Sequence, residues 1–446
     1  MNTYHNSNGS KQNPARNHSP VRLFAQRCTS ITLSTIGLSL LLLGNSVAGV
    51  NRIPDPGNFE QRTTIRSFNE TTTLAEELWA KLTTRFVDLY EKGEYNTALT
   101  VAQRAYDIAL DNFGLNDVNT ADTLLKLGII NQTLGNLATA EDHLLGSLVI
   151  LEDQLTPDHP DVAITATNLG NVYFEMERFR ESEKYHQLAL KIRQNAFGES
   201  NPVVAQSTYN LAVLYEREKN YSKAESFYDK AVMLWSKSVG PTHPYVLNAL
   251  NNLANIYTTQ KNFQEAAKVL QRTVTYKKAV FGAQHAEVAQ SLIGLGTAYL
   301  EQGKYDHAGS AYSEALDIAQ HVLPSSDPQL ALLMYTLANI YHMQARMSGN
   351  TSMTGMSHDI DAGATKTADN SPSAAYVSVE NSTEIASNEL FEQALPLYKQ
   401  AAEILDDGQS KDLATLDVVL TELAMLYKAI GNTDMAAATE SRLSTH

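Results

Sequence analysis

A short motif that returns every 42 residues constrains this chain more than any other feature. The motif runs from Asn168 to Tyr173, with the sequence Asn-Leu-Gly-Asn-Val-Tyr. Other copies keep the same phase and begin at Lys126, Asn210, Asn252, Gly294 and Thr336. A second series of small residues has the same interval half a unit further on, at Ala98, Ala140, Ser182, Ala224, Ala266 and Ala308. A fixed period of this length is typical of a solenoid built from stacked repeats.

Each unit is predicted to contain two helices separated by a polar turn. Both series lie in stretches with helical periodicity, and turn residues such as Gly135-Asn136 and Lys219-Asn220 lie between them. Proline at the first helical position lacks only an N–H that has no helical partner, and it keeps the preceding residue extended, as an N-cap requires. The first helices are therefore predicted to start at His159-Pro160, Asn201-Pro202, His243-Pro244 and Asp327-Pro328.

Residues 1–48 are predicted to be a secretory signal peptide. They contain a polar, basic region, an apolar run that starts at Ile31, and a Ser-Val-Ala end that fits cleavage after Ala48. An uncleaved membrane anchor over residues 31–50 is the alternative, because the run reaches about the 20 residues that span a bilayer. Cys28 precedes the run, so a cleaved chain has no cysteine for a disulfide, a metal thiolate or a thiol nucleophile.

The rest of the chain divides into a linker, the repeats and one insertion. Proline, glycine and polar residues indicate a linker over residues 49–73, and repeats are predicted over residues 74–346. In the seventh unit, 86 residues separate successive motif leucines where 42 are expected. The extra residues are rich in Ser, Thr, Gly and Asn, so residues 347–387 are predicted to be a disordered insertion. The last repeats are predicted at 388–446.

The motif positions resemble those of tetratricopeptide repeats. The match to that repeat includes the Leu-Gly or Leu-Ala pair and the tyrosine of the first helix. It also includes the turn, the small residue of the second helix and the run Tyr228-Asp229-Lys230-Ala231. The 42-residue length and the links Phe197-Gly198 and His243-Pro244 are similar to the kinesin-light-chain type. This resemblance implies an all-α, right-handed superhelical solenoid of about eight helix-turn-helix repeats, with the disordered insertion in the seventh.

One face of the first helices is predicted to be core. Five apolar residues lie on it at the i, i+4, i+7, i+11 spacing of a buried helix face. They are Val162, Ala166, Leu169, Val172 and Tyr173 in one copy, and Val246, Leu250, Leu253, Ile256 and Tyr257 in another.

The neighbouring face is polar and uncharged, and it is the candidate peptide-binding surface. Asparagine is a mediocre helix former, so its repetition indicates either hydrogen bonding between helices or a role on an open face. An amide side chain offers both a donor and an acceptor to an extended peptide backbone. In the family, the asparagine after the Leu-Gly pair faces peptide, which the resemblance carries to Asn171, Asn255 and Asn339. The candidate peptide-binding residues are Asn168, Asn171, Asn210, Asn248, Asn252, Asn255 and Asn339.

Several other kinds of site are disfavoured. The formal charge of −15 disfavours nucleic acid as a partner. The sequence has no HExxH, no GxSxG and no phosphate-binding glycine loop. His159, His243 and His285 share a phase, but helix packing would place them roughly 10 Å apart, too far to share a metal. The first helices at 161–175 and 245–259 have no Lys or Arg for a carboxylate clamp.

The sequence therefore predicts an exported, periplasmic or secreted scaffold that binds protein or peptide segments, is not an enzyme and uses no cofactor. Membrane contact is expected only through an uncleaved N-terminal segment. Two alternatives remain open, a structural solenoid that forms homo-oligomers and an enzyme with an unrecognised site.

Overall fold

Helices form all the regular secondary structure in the described part of the chain. The computed structural model of the protein describes residues 74–354, 374–406 and 413–443. These ranges contain 16 helices and no strand, and the helices fall into two compact units. The first unit contains α1 (Leu74–Glu91), α2 (Tyr95–Phe113), α3 (Val118–Thr133), α4 (Leu137–Gln154), α5 (Pro160–Glu175), α6 (Phe179–Phe197), α7 (Pro202–Arg217), α8 (Tyr221–Ser238), α9 (Pro244–Thr259), α10 (Phe263–Phe281), α11 (Ala286–Glu301) and α12 (Tyr305–Val322).

The second unit contains four helices. They are α13 (Pro328–Thr354), α14 (Ala374–Leu405), α15 (Leu413–Ala429) and α16 (Thr433–Leu443). Odd-numbered helices are the first helices of the repeats and even-numbered helices are the second. In both units each first helix packs against the second helix that follows it, which confirms the predicted all-α arrangement of helix pairs.

The first helices start where the sequence predicts, and side-chain acceptors cap them. From α3 to α13 the starts are 42 residues apart. Asn201 accepts a hydrogen bond from the N–H of Val203 at 3.0 Å through its side-chain oxygen. The Nδ1 atom of His159 accepts one from the N–H of Asp161 at 3.1 Å. These acceptors satisfy N–H groups that have no partner inside the helix.

The turns between the paired helices end the first helix with a left-handed residue. After α5, the N–H of Arg178 donates to the carbonyl of Tyr173 at 2.8 Å, and the N–H of Glu177 donates to Phe174 at 3.0 Å. This is the Schellman arrangement, whose central residue needs a positive φ. Glycine occupies that position at Gly93, Gly135 and Gly303, whereas Glu177, Lys219 and Lys261 adopt φ values of 59°, 60° and 58°.

The predicted apolar stripe forms the core. Val162, Ala166, Leu169 and Val172 are fully buried, and Tyr173 is 3% exposed. The matching residues of α9, from Val246 to Tyr257, are buried as well. The phase that the motif sets along the sequence is therefore the phase that the packing uses.

Small residues let the two helices of a repeat approach closely. A Cβ atom added to Gly170 would lie 2.7 Å from the ring of His186, and one added to Gly296 would lie 2.6 Å from the ring of Tyr312. Both ring side chains are buried. On the second helix, Ser182 is fully buried and donates its hydroxyl to the carbonyl of Gly170 at 2.8 Å. The small-residue series thus marks the contact between paired helices.

The two helices of the seventh repeat are longer than those of the other repeats. Helix α13 continues to Thr354 and α14 starts at Ala374, so both helices extend into residues 347–387, which the sequence predicts to be disordered. Once a helix is nucleated, each added residue gains a backbone bond, so it can propagate into a polar segment that has no apolar face. Residues 355–373 lie outside the described residues, as does the N-terminal stretch 1–73.

Candidate functional site

The amide face, defined as the seven candidate asparagines on the first helices, is divided by the structure into three groups. Asn168 and Asn339 form the buried group, at 6% and 5% exposed. Asn168 donates to the carbonyl of Ile164, one turn earlier in its own helix, at 2.9 Å. In the second unit, Asn339 accepts from the hydroxyl of Tyr398 at 2.5 Å, and its side-chain N–H₂ has no partner among the described residues.

The second group is half-buried and hydrogen-bonded to other side chains. Asn210 accepts from the side-chain amide of Gln206 at 2.9 Å, one turn away in α7. Asn252 donates to the hydroxyl of Tyr209 at 3.0 Å and to that of Tyr228 at 3.1 Å. The amide of Asn252 therefore links α9 to both helices of the preceding repeat.

The bonds of Asn252 belong to a larger buried network. Tyr228 is fully buried, and its hydroxyl donates to Glu216 at 2.5 Å. Burial raises the pKa of Glu216, and hydrogen bonds from Tyr228 and Asn255 oppose that shift. Burial likewise raises the pKa of Tyr209 to about 12, although the hydrogen bond from Asn252 opposes the shift. The network holds these phenols protonated, so it is structural in character.

The third group is the open one. Asn171 and Asn248 are partly exposed and have no hydrogen-bond partner among the described residues, and Asn255 is exposed. Asn248 and Asn255 are seven residues apart in α9, which places them on one helix face about 10.5 Å apart at 1.5 Å per residue. The amide of Asn248 is available to a ligand, and Asn255 is exposed while its amide also contacts Glu216.

The seven candidate asparagines therefore do not share one environment, and only some of them lie on an open face. Asn168 and Asn339 are closed off by burial, and Asn210 and Asn252 already have side-chain partners. The identical phase fixes the direction of each side chain but not the residues that it meets in the neighbouring repeat. Peptide binding by Asn171, Asn248 and Asn255 stays a prediction.

A series of tyrosine–glutamate pairs, which the sequence reasoning missed, joins successive repeats. Three first-helix tyrosines each donate the hydroxyl to a glutamate on the preceding second helix, 32 residues earlier. The pairs are Tyr173–Glu141 at 2.8 Å, Tyr215–Glu183 at 2.5 Å and Tyr257–Glu225 at 2.8 Å. Burial and Glu183 together raise the pKa of Tyr215 to about 12. The signal was present in the sequence, because both members of the pair recur with the 42-residue period.

A pocket of about 300 Å³ is lined by residues of α10, α11 and α12, among them Tyr299, which has the phase of the paired tyrosines. Its apolar lining includes Val274, Leu292 and Leu295, and polar residues including Tyr299 and His307 also line it. The ring of Tyr299 lies 5.1 Å from that of His307, centroid to centroid. The pocket is small, and none of the seven candidate asparagines lines it.

The second unit contains two buried ionisable groups on first helices. Glu422 is 6% exposed, and one of its carboxylate oxygens has no hydrogen-bond partner among the described residues. Burial raises its pKa to about 7, although Arg346 opposes the shift. His342 is 4% exposed, and burial lowers its pKa to about 4. Burial therefore favours the neutral form of both groups.

The histidines that share a phase have a local role in the structure. Like His159, His243 and His285 use Nδ1 to accept from the N–H two residues later, at 3.3 Å and 3.1 Å. Within the described ranges, no three His, Cys, Asp or Glu residues are grouped to hold a metal ion. None of the described helices is both long enough and apolar enough to cross a membrane. Residues 31–50, which carry the signal and anchor predictions, lie outside the description.

The sequence of the repeats matches that of a known family. The tetratricopeptide repeat profile matches residues 119–195, 161–237, 203–279, 245–321 and 287–348, which together make up more than half of the chain. The chain belongs to the tetratricopeptide repeat family. The 42-residue period of this tetratricopeptide repeat protein is that of the kinesin-light-chain type. Solenoids of this kind present extended concave surfaces that bind other proteins.

Solved structures of similar repeats come from several organisms. BtubC (BKLC) from P. vanneervenii is 19% identical, with a TM-score of 0.41, 67% of this chain covered and 100% of that chain. Repeats from a Podosopora anserina protein described as a kinesin light chain are 20% identical, with a TM-score of 0.42 and coverage of 47% and 99%. The apo form of the quorum sensor NprR from B. thuringiensis is 13% identical, with a TM-score of 0.43 and coverage of 93% and 99%.

Curated relatives match a shorter part of this tetratricopeptide repeat protein. Clustered mitochondria protein homologs from Aspergillus oryzae and Aspergillus terreus are 23% and 22% identical over 109 residues. The match covers 24% of this chain and 9% of each relative, so the chain spans about a tenth of their length.

Proposed function

We propose that this protein is an exported scaffold that binds an extended segment of a partner protein along the open amides of its first helices. The observation that carries the proposal is the pair Asn248 and Asn255 on α9. Both side chains are accessible, and they lie on one helix face. Each amide offers a donor and an acceptor, which is the complement of a peptide group.

The proposal confines binding to the part of the amide face that is open. Asn171 on α5 joins Asn248 and Asn255 as a contact, because it is partly exposed and its amide has no partner in the described residues. Asn252 supports the site from behind by fixing α9 against Tyr209 and Tyr228. The surface is uncharged at these positions, so it suits a peptide backbone rather than a charged terminus. The protein is a scaffold and not an enzyme.

A peptide selection tests the site without knowledge of the natural partner. Random peptides displayed on phage are selected against the full chain, and the dissociation constant of each selected peptide is measured on variants. Replacing Asn248 and Asn255 together with alanine should weaken binding by about 1 kcal/mol per lost hydrogen bond, or roughly 5- to 30-fold in all. Met233→Ala is the control, because Met233 is 60% exposed on the second helix α8.

Two results would count against the groove. Equal affinity for wild type and the Asn248 and Asn255 variant would place binding elsewhere. Weaker binding on Met233→Ala would place it on the second helices. If the purified chain only self-associates and selects no peptide, the structural alternative of a homo-oligomer replaces the scaffold.

Export is proposed from the apolar run and the small residues before Gly49. Amino-terminal sequencing of the protein from its native host is expected to give a chain that begins near Gly49. An intact residue 31–50 segment in the membrane fraction would favour the anchor instead. A pool found wholly in the cytoplasm would rule out both versions of export.

A further inference from the structure

The tyrosine–glutamate pairs are broken at one repeat of the first unit. Tyr299 on α11 has the phase of Tyr173, Tyr215 and Tyr257, but the residue 32 positions earlier is Ala267 instead of glutamate. Ala267 is 5% exposed and has no polar atom in its side chain. Within the described residues, the hydroxyl of Tyr299 has no hydrogen-bond partner, and it lines the pocket of about 300 Å³.

The basic neighbours of the missing carboxylate are still present. In the earlier repeats, Glu141 also accepts from Arg178 at 3.0 Å, and Glu183 lies 3.7 Å from the ammonium group of Lys223. The matching positions in the sixth repeat are Lys304 and His307. Lys304 has no ion pair in the described part of the chain, and His307 packs against Tyr299. The sixth repeat thus keeps a hydroxyl donor and basic groups but lacks the carboxylate that they would bind.

The other acidic groups of the pocket do not fill this position. Glu314 is paired with Lys278 at 2.5 Å on the opposite wall. Asp306, in the first turn of α12, lies on the same rim and has interactions of its own. Val274, Leu292 and Leu295 form the apolar part of the lining, which Tyr299 shares.

We infer that this pocket is a binding site for a carboxylate attached to a short apolar group, which replaces in trans the glutamate that the sixth repeat lacks. The hydroxyl of Tyr299 and a ring N–H of His307 donate to the carboxylate, Lys304 at the N-cap of α12 supplies positive charge, and the apolar group fills the floor. A volume of about 300 Å³ is at the small end of ligand pockets, so it accepts one residue or a small acid. The site is separate from the amide face and does not depend on the proposed function.

The probe is N-acetyl-leucine, with N-acetyl-leucine amide as the matched compound that lacks only the charged group. Binding to the full chain is followed by ligand-observed NMR, and a ligand of this size is expected to bind with a dissociation constant on the order of 1 mM. N-acetyl-leucine amide should bind about tenfold more weakly than N-acetyl-leucine. N-acetyl-leucyl-glutamic acid α-amide, in which only the glutamate side chain carries a carboxylate, distinguishes a partner's side chain from a terminal carboxylate.

Three variants test the assignment. Ala267→Glu should restore the internal pair with Tyr299 and reduce binding of N-acetyl-leucine at least tenfold. Tyr299→Phe should reduce it about fivefold without filling the pocket, which keeps the test valid if Ala267→Glu fails to fold. Tyr257→Phe, which removes the same hydroxyl from an intact pair, should leave binding unchanged.

The inference is overturned if wild type binds neither carboxylate probe, or if the acid and the amide bind equally. It is also overturned if a folded Ala267→Glu variant binds as well as wild type. Asp306→Asn removes a negative charge from the rim, so it should tighten binding of the acid and leave binding of the amide unchanged.

Discussion

Asn252 and Asn255 lie on the same helix, yet their replacement by alanine should change stability in opposite directions. The side-chain nitrogen of Asn252 donates to Tyr209 and Tyr228, at 3.0 Å and 3.1 Å. Alanine at 252 leaves both phenol oxygens without that donor, which costs about 1 kcal/mol for each bond. The better helix propensity of alanine returns about 0.6 kcal/mol. The net loss for Asn252→Ala is therefore about 1.5 kcal/mol.

Asn255→Ala provides the matched comparison. Asn255 is exposed, so its replacement removes little beyond its contact with Glu216, while alanine gains about 0.6 kcal/mol of helix propensity. The melting temperature should stay the same or rise slightly. Leu253→Ala, between them in the sequence, sets the upper limit of the stability loss. Leu253 is only 1% exposed, so the cavity left by alanine costs about 2–5 kcal/mol.

Calorimetry and hydrogen exchange together give the assay. A loss of about 1.5 kcal/mol should lower the melting temperature of the first unit by roughly 3–6 °C. Because neighbouring repeats unfold as coupled units, amide exchange should accelerate in α7, α8 and α9 and not in α3. A double-mutant cycle with Tyr228→Phe should give a coupling of about 1 kcal/mol. If Asn252→Ala is no less stable than Asn255→Ala, the hydrogen bonds of Asn252 to Tyr209 and Tyr228 do not stabilise the fold.

Two further changes test the turns and the buried histidine. Lys219→Gly should raise stability in a thermal melt, because a lysine at positive φ costs roughly 1–2 kcal/mol. Glycine offsets only part of this gain, since it loses about 0.4–1 kcal/mol more backbone entropy on folding. Gly303→Ala should lower stability in the same assay because of its positive φ, although an added Cβ would meet no other atom. Burial lowers the pKa of His186 from 6.5 to about 3, so the unfolded chain binds more protons between these values and stability falls as pH falls. The loss in unfolding free energy should reach about 2 kcal/mol between pH 6.5 and pH 5. His186→Tyr, which copies the Gly296–Tyr312 pair, should remove this pH dependence in thermal melts across the same range.

Most of the fold was predictable because the period carries information about local structure. Proline at 160, 202 and 244 marks helix starts through its own backbone geometry, and the phase of Leu169 and Leu253 marks the core in the repeats from α3 onward. The turns between paired helices were predictable from the sequence. The positive φ of Lys219 and Lys261 was not, because the surrounding structure holds these residues in a left-handed conformation that lysine disfavours. Composition does not say how far a nucleated helix propagates, so the ends of α13 and α14 near residues 347–387 could not be predicted from the sequence.

The candidate site was harder to predict, because a repeated residue takes its role from residues in the preceding repeat. Asn252 meets tyrosines 43 and 24 residues earlier. The residues at the same offsets from Asn168 are Leu125 and Leu144, both buried and apolar, so its amide bonds the carbonyl of Ile164 in its own helix.

The same reasoning applies to the tyrosines. A first-helix tyrosine forms a pair where glutamate stands 32 residues earlier, as for Tyr257, and faces an open pocket where alanine stands there, as for Tyr299. Two residues with the same phase are therefore functionally equivalent only when the residues at these offsets are also the same. Comparing the residues at these offsets, in addition to the 42-residue period, separates the structural asparagines and tyrosines from those that are free to bind. The comparison needs only the sequence once the contacts of one repeat interface are known.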